Sequence, residues 1–189
     1  MKIIEELASW VAHFLAALVL ALALCLFVLQ PTYVEGRSME DTLHDGDKVL
    51  ISKLLHTFGG EPEYGDIVII DSRVNRPRTF RDDLREMLTV NLFTRYFFGL
   101  EGESHYWIKR VIGKEGDYLE FRGCTVFRNG VPLEEPYVRE AAEYKDLEPV
   151  KVPEDCIFVM GDNRNDSRDS RHIGCVPLSH VLGKYKFNF

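Results

Sequence analysis

The chain carries too little positive charge to hold a polyanion. Its 23 Lys and Arg are outnumbered by 30 Asp and Glu, for a formal charge of −7. A surface that grips phosphates needs the reverse balance, so nucleic acid is excluded as a general partner. Cysteine is scarce as well, with only Cys25, Cys124, Cys156 and Cys175. Cys25 lies in a long apolar run, and the other three cannot all pair. That rules out a disulfide framework and leaves a single bridge, such as Cys156 to Cys175, open. No CxxC pair or Cys/His cluster has zinc-type spacing, so neither a metal nor another cofactor is called for. Low-complexity tracts and fixed-period repeats are absent. What remains, 189 residues at 46% hydrophobic content, suits one compact domain with an appendage.

Charge is missing altogether from Leu7 to Leu29, "LASWVAHFLAALVLALALCLFVL", where only Ser9 and His13 interrupt the apolar run. A helix needs roughly 20 such residues to cross a bilayer. Trp10 favours an interface at one end, and Gln30-Pro31 is expected to stop the helix at the other. A cleaved secretory signal would have a shorter apolar core, of about 7–15 residues, and a basic start; here Glu5 and Glu6 follow Lys2. A lipoprotein-type site would want a small residue before Cys25, where Leu24 stands. The reading is a permanent single-pass anchor at 7–29 in the cell membrane. Residues 1–6 form a cytoplasmic tail, and the folded domain, 32–189, lies on the extracytoplasmic side. Ser38 lies nine residues past Leu29, and at ~3.3–3.6 Å per residue it stays within ~30 Å of the lipid.

Beyond the anchor the pattern is mainly β. "DGDKVLI", "YGDIVII" and "EGDYLEF" each put a Gly-Asp turn ahead of β-branched or aromatic residues, the mark of a strand entered from a tight turn. "YWIKRVIG" and "CIFVMGDN" read as further strands, and Asn129-Gly130 in "TVFRNGVPL" as a hairpin turn. Short strands joined by short turns predict antiparallel strands in a barrel-like or sandwich domain. The stretch from Arg73 to His105 differs: Phe80, Leu84, Leu88, Leu92 and Tyr96 recur at i+4, with Arg76, Arg78, Arg81, Arg85 and Arg95 interspersed. This predicts an inserted amphipathic helix, either packed on the β core or lying in the membrane interface.

Two features carry chemistry. Lys109 and Arg110 sit side by side in the apolar "YWIKRVIG". Alternation places Lys109 with Trp107 and Val111, and Arg110 with Ile108 and Ile112. A buried lysine can become a base at neutral pH; on an edge strand it would simply reach out to water. Its possible client is Ser38 in "GRSMEDTL", because a serine attacks only when a base takes its proton. The six histidines, among them His44 and His172, lie in the anchor, in turns or near polar loops, with no acid arranged to orient them. "GDNRNDSRDSRHIG", from Gly161 to Gly174, follows a strand and is too polar for a core. It reads either as a solvated loop or as a fixed network around a site.

The blocks "GRSMEDTL", "YGDIVII", "YWIKRVIGKEGD" and "GDNRNDSRDSR", in this order and behind an apolar anchor, resemble those of bacterial type I signal peptidases. The likeness runs from the anchor to Gly174. It implies Ser38 as nucleophile and Lys109 as general base, with Met39 packed beside the serine and the Ser38 N–H in the oxyanion hole. Gly36 stands where some relatives carry a hydroxyl donor. Ser167 matches the serine that hydrogen-bonds the lysine. Asp169 and Arg171 match a supporting ion pair that Arg110 is expected to join, and Asp162, Asn163 and Arg164 match structural positions. Asp41 replaces the proline usual in Ser-Met-x-Pro-Thr and is expected to face solvent. The segment 73–105 is longer than the usual link, and the resemblance gives it no role.

The implied activity is removal of signal peptides from exported preproteins after a small-x-small pattern, through an acyl-enzyme. Its partners would be those peptides and the lipid bilayer, with the export channel a further candidate. Self-cleaving repressors use the same dyad, but they need a DNA-binding N-terminus and no membrane span. The other alternative is a tethered module that kept the fold, lost the chemistry and assists pilus or surface-protein assembly.

Overall fold

A computed structural model describes residues 2–79, 81–85, 105–144 and 147–189. Helix α1, Lys2–Phe27, is long and apolar enough over Ile3–Cys25 to cross a membrane, and none of that stretch is buried against the rest of the protein. It ends before Gln30-Pro31, the expected stop, because Leu29 already opens strand β1 (Leu29–Tyr33), opposite Ser52 of β2 (Lys48–Ser52). Helix α2, Leu54–Phe58, follows, and then β3, Ile67–Asp71.

The expected antiparallel β architecture is present, in two sheets. The larger also contains β4 (Tyr106–Lys114), β9 (Cys156–Met160), β10 (Val176–Pro177) and β11 (Val181–Asn188), in the order β1-β2-β11-β3-β4-β9-β10. The smaller is built from β5 (Tyr118–Arg122), β6 (Thr125–Arg128), β7 (Val131–Pro132) and β8 (Val150–Lys151), in the order β7-β6-β5-β8. The larger sheet is curled but open, with β1 and β10 as its edges. Its last strand, β11, lies between β2 and β3.

The Gly-Asp turns perform as their chemistry predicts. Gly46, Gly65 and Gly116 precede β2, β3 and β5 with φ of 86°, 80° and 81°, a region that side chains with a Cβ rarely adopt. Asn129 and Gly130, both at positive φ, turn β6 into β7.

Strand β4 is central, paired with β3 on one side and β9 on the other. The edge-strand reading of Lys109 is thereby overturned. Alternate residues of β4 enter different cores. Trp107 and Val111 pack with Val68, Ile70, Val159 and Val181, whereas Ile108 packs with Met39, Leu43 and Ile69. Ile112 joins the core under the smaller sheet.

Of the predicted inserted helix, residues 81–85 are helical. Phe80, Leu88, Leu92 and Tyr96 of its apolar stripe lie outside the described residues. The root of the segment is fastened by charge. The buried Arg78 side chain spans Asp71 and Asp83, at 2.7 Å from each, Arg73 bonds Asp71, and Arg76 bonds Asp82. Because Asp71 is the last residue of β3 and fully buried, these pairs tie the start of the segment to the sheet.

Candidate active site

Ser38 begins a tight turn that leaves β1 and is pinned from below. The amides of Thr42 and Leu43 both reach the Met39 carbonyl, and Met39 and Leu43 are each 1% exposed. The loop closes behind the turn through Val34 N–H to the Asp47 carbonyl, at 2.8 Å, and Gly36 N–H to Asp45 Oδ1, also at 2.8 Å. With the apolar side of the turn locked in the core, Ser38 is held at its rim. Met39 itself belongs to the core cluster of Val34, Leu43 and Ile69.

Lys109 meets Ser38 from the middle of β4. Its Nζ is 2.6 Å from Ser38 Oγ and donates to the Ile108 carbonyl at 2.8 Å. The residue is 3% exposed. Burial pushes its ammonium from an ordinary 10.5 down to about 8, against the upward pull of the Asp169 and Asp162 carboxylates. Trp107 lies alongside, with its ring centroid 5.8 Å from Nζ.

The block after β9 surrounds this pair. Asn163 N–H donates to the Ser38 carbonyl at 3.1 Å, and the Asn163 side chain donates to the Arg37 carbonyl at 3.2 Å. Gly161 is where the two segments meet. A Cβ there would fall 2.5 Å from the Ser38 carbonyl oxygen and 2.3 Å from Ser167 Oγ, so only glycine fits. Asp169, fully buried, accepts from Gly161 N–H, Ser167 Oγ and Arg171 Nε and Nη2, at 2.8–2.9 Å. Burial pushes its carboxyl up, but those donors, Arg171 foremost, hold it below the usual range. Asp169 also caps the short helix Ser170–Ile173, with His172 completing the capping box.

Two expected contacts differ. Ser167 gives its hydroxyl to Asp169 rather than to Lys109, whose second acceptor is the Ile108 carbonyl. Arg110 does not join the Asp169–Arg171 pair. Alternation aims it at the opposite face of β4, where it grips Asp162 through two bonds of 2.8 and 2.6 Å and reaches the Gly65 carbonyl. Thr42 donates to the same Asp162 at 2.6 Å, so this pair clamps the serine turn from below. Asp41 faces solvent, where it meets the exposed Arg139 at 3.3 Å. His44 is exposed beside Asp47, and His172 belongs to the helix cap. Among the described residues, the side chain bonded to the Ser38 hydroxyl is Lys109.

Sequence reasoning missed the brace from residues 135–144. The Tyr137 ring lies 4.0 Å from the Arg110 guanidinium, and Glu135 and Tyr144 bond the buried Arg164, whose Nε donates to the Gly161 carbonyl. No sequence signal marks these partners, which sit 20 or more residues apart in unremarkable polar stretches. All four cysteines are free, and burial raises the Cys175 thiol to about 11.

This geometry offers a hydroxyl, a buried amine with a depressed pKa, and a rigid surround. Comparison with known proteins gives the family. Residues 7–189 match the family model described as signal peptidase, peptidase S26. Signal peptidase I of Bacillus licheniformis is 37% identical over 98% of this chain and 89% of its own length. A probable signal peptidase I-1 of Synechocystis is also 37% identical, over 93% and 78%. A crystal structure of a signal peptidase I from Enterococcus faecalis is 26% identical, covering 67% of this chain and 97% of that one, with a TM-score of 0.44. A match across nearly the whole chain, with relatives this similar, decides the matter: the chain belongs to the signal peptidase family, peptidase S26.

Proposed function

We propose that the protein is a membrane-anchored serine endopeptidase that removes signal peptides from exported preproteins, with Ser38 as nucleophile and Lys109 as general base. The observation that carries this reading is the 2.6 Å approach of Nζ of the buried Lys109 to Oγ of the half-buried Ser38. With a pKa of about 8, about a tenth of the lysines are neutral at pH 7, against well under a thousandth for an exposed lysine. The neutral amine takes the Ser38 proton as Oγ attacks the scissile carbonyl. The resulting ammonium returns a proton to the departing amine. The acyl-enzyme is then hydrolysed by water deprotonated by the same lysine. The Ser38 N–H stabilises the oxyanion.

The remaining residues position this pair. Asp169, fixed by Arg171 and Ser167, orders the loop behind Lys109, and the Arg110–Asp162 pair holds the serine turn. Each acid is matched by an arginine, and burial outweighs the upward pull that the two carboxylates exert on Lys109. The helix α1 is the anchor. With its short N-terminal tail in the cytoplasm, the domain works on the extracytoplasmic side, where tethering beside the emerging peptides raises their effective concentration.

The test is cleavage, in detergent, of a preprotein with an Ala-x-Ala site by the intact chain and by Ser38→Ala and Lys109→Ala. Cleavage at that bond, lost in both variants, is expected. Cleavage that survives Lys109→Ala overturns the base assignment. A folded wild-type chain inert between pH 6 and 10 overturns the enzyme reading in favour of a non-catalytic module.

A further inference from the structure

Next to the serine turn lies a cleft of about 270 Å³ with three walls. Arg37 and Glu40, on either side of Ser38 and Met39 in the chain, form the first. Asn163 and Asp166, from the block after β9, form the second, and Arg139 and Glu140 the third. The first two walls are locked together, because the main chain and side chain of Asn163 donate to the carbonyls of Ser38 and Arg37. The third is held by Arg164, which takes Glu135 and Tyr144 on either side of residues 139–140. The cleft is therefore a fixed feature of the nucleophile's surroundings, and a peptide that crosses Ser38 passes its mouth.

The charges in this cleft do not balance. Arg37 Nε bonds both carboxylate oxygens of Glu40 at 3.1 Å, and Arg139 meets Asp41 at 3.3 Å. Glu140 and Asp166 are exposed on the same cleft. Among the described residues, two guanidiniums thus face four carboxylates, and each guanidinium is already matched. Asp41 gains a purpose here. In the place where the resemblance puts a proline, it draws off the charge of Arg139 and leaves the cleft acidic.

We propose that this cleft receives the first residues after the scissile bond, the start of the mature protein, and favours a lysine or arginine there over an acid. The side of the bond follows from size and polarity. Under the proposed activity the residues before the cut must be small, and the surface that suits them is the apolar surround of Lys109, where Trp107 and Ile108 stand. A charged cleft of this volume is built for something other than alanine. The residues after the cut carry no such size limit, and they are the ones it fits. Reach agrees: an extended peptide advances ~3.3–3.6 Å per residue, so three residues beyond Ser38 are enough to cross the cleft. The inference rests on the proposed peptidase activity and adds a preference among its substrates.

The test uses the full chain in detergent and the preprotein with an Ala-x-Ala site, carrying Lys, Ala or Glu at each of the first three positions after the cut. A parallel set varies the x position before it. The readout is the ratio of kcat/KM for the Lys and Glu substrates; formed within one enzyme, it cancels any partial loss of folding. At low ionic strength wild type is expected to favour Lys by roughly tenfold at one or more positions after the cut, attraction and like-charge repulsion both contributing. The preference should shrink in about 0.5 M salt. Glu140→Gln with Asp166→Asn should bring the ratio within about twofold of unity, and Glu140→Lys with Asp166→Lys should invert it. A ratio near unity at all three positions, with the Ala substrate still cleaved, overturns the inference and leaves the peptidase reading standing. So does a preference that survives both double variants. A preference at x that the double variants erase also overturns it, by assigning the cleft to the signal-peptide side. A wild-type chain that cleaves none of the series overturns the peptidase reading and the inference with it.

Discussion

Replacing Lys109 by methionine should abolish cleavage and at the same time make the protein more stable at neutral pH. Burial lowers the Lys109 pKa from an ordinary 10.5 to about 8, a difference worth about 3 kcal/mol against folding while the unfolded chain keeps its proton. Methionine removes that cost and fills similar volume with an apolar chain. The opposing loss is two hydrogen bonds, to Ser38 Oγ and the Ile108 carbonyl, at about 0.5–1 kcal/mol each. The net gain is about 1–2 kcal/mol, or roughly 2–8 °C in Tm for a protein of this size. The sign of the pH dependence follows from the direction of the shift. Between about 8 and 10.5 the unfolded chain binds a proton that the folded one has released, so wild-type stability rises with pH across that window. The advantage of Lys109→Met is therefore constant below about pH 8 and fades as pH approaches 10.5. Thermal unfolding in detergent at pH 7, 8, 9 and 10, followed by tryptophan fluorescence, measures it directly. A variant less stable than wild type at every pH, or a difference flat in pH, would refute the claim that a desolvated ammonium sits in this pocket.

Two other substitutions probe the surround. Gly161→Ala introduces a methyl that collides with the Ser38 carbonyl oxygen and Ser167 Oγ; kcat should fall at least tenfold, on the order of the loss expected when a reacting atom is displaced by an ångström, and the loss should appear in kcat rather than KM. Asp162→Ala strands the guanidinium of Arg110, which is largely buried, and should cost about 3–5 kcal/mol in urea unfolding, whereas the double variant Asp162→Ala, Arg110→Met recovers much of it.

The strands were legible because their entry turns need glycine at positive φ and because β-branched runs follow each one. Lys109 stood out for a related reason: two cations in an otherwise apolar strand demand a partner or a purpose. Which acid serves which arginine was not legible. Asp162 and Asp169 lie seven residues apart in one polar block, and sequence proximity favours neither for Arg110. The choice is made by alternation on β4 combined with the register that sets Arg110 opposite Met160, a long-range fact. Ser167 illustrates a subtler limit. Its position near Lys109 follows from the block, but the direction of its hydroxyl depends on Asp169, which takes two guanidinium donors from Arg171 and the Gly161 N–H and still accepts the hydroxyl. The brace of Glu135, Tyr137 and Tyr144 lay further out of reach, because its purpose exists only once the smaller sheet's loops have folded onto Arg110 and Arg164.

The position of β11 has a consequence in time. The ribosome delivers this strand after β1 to β10, yet it occupies an interior place, between β2 and β3. Until it pairs, those two strands present raw edges to each other, and the serine turn is joined to the β4–β9 pair by side chains and loops alone, through Thr42 on Asp162 and Asn163 on the Ser38 carbonyl. Residues 181–188 supply the backbone link, so a strand made late closes a sheet opened early.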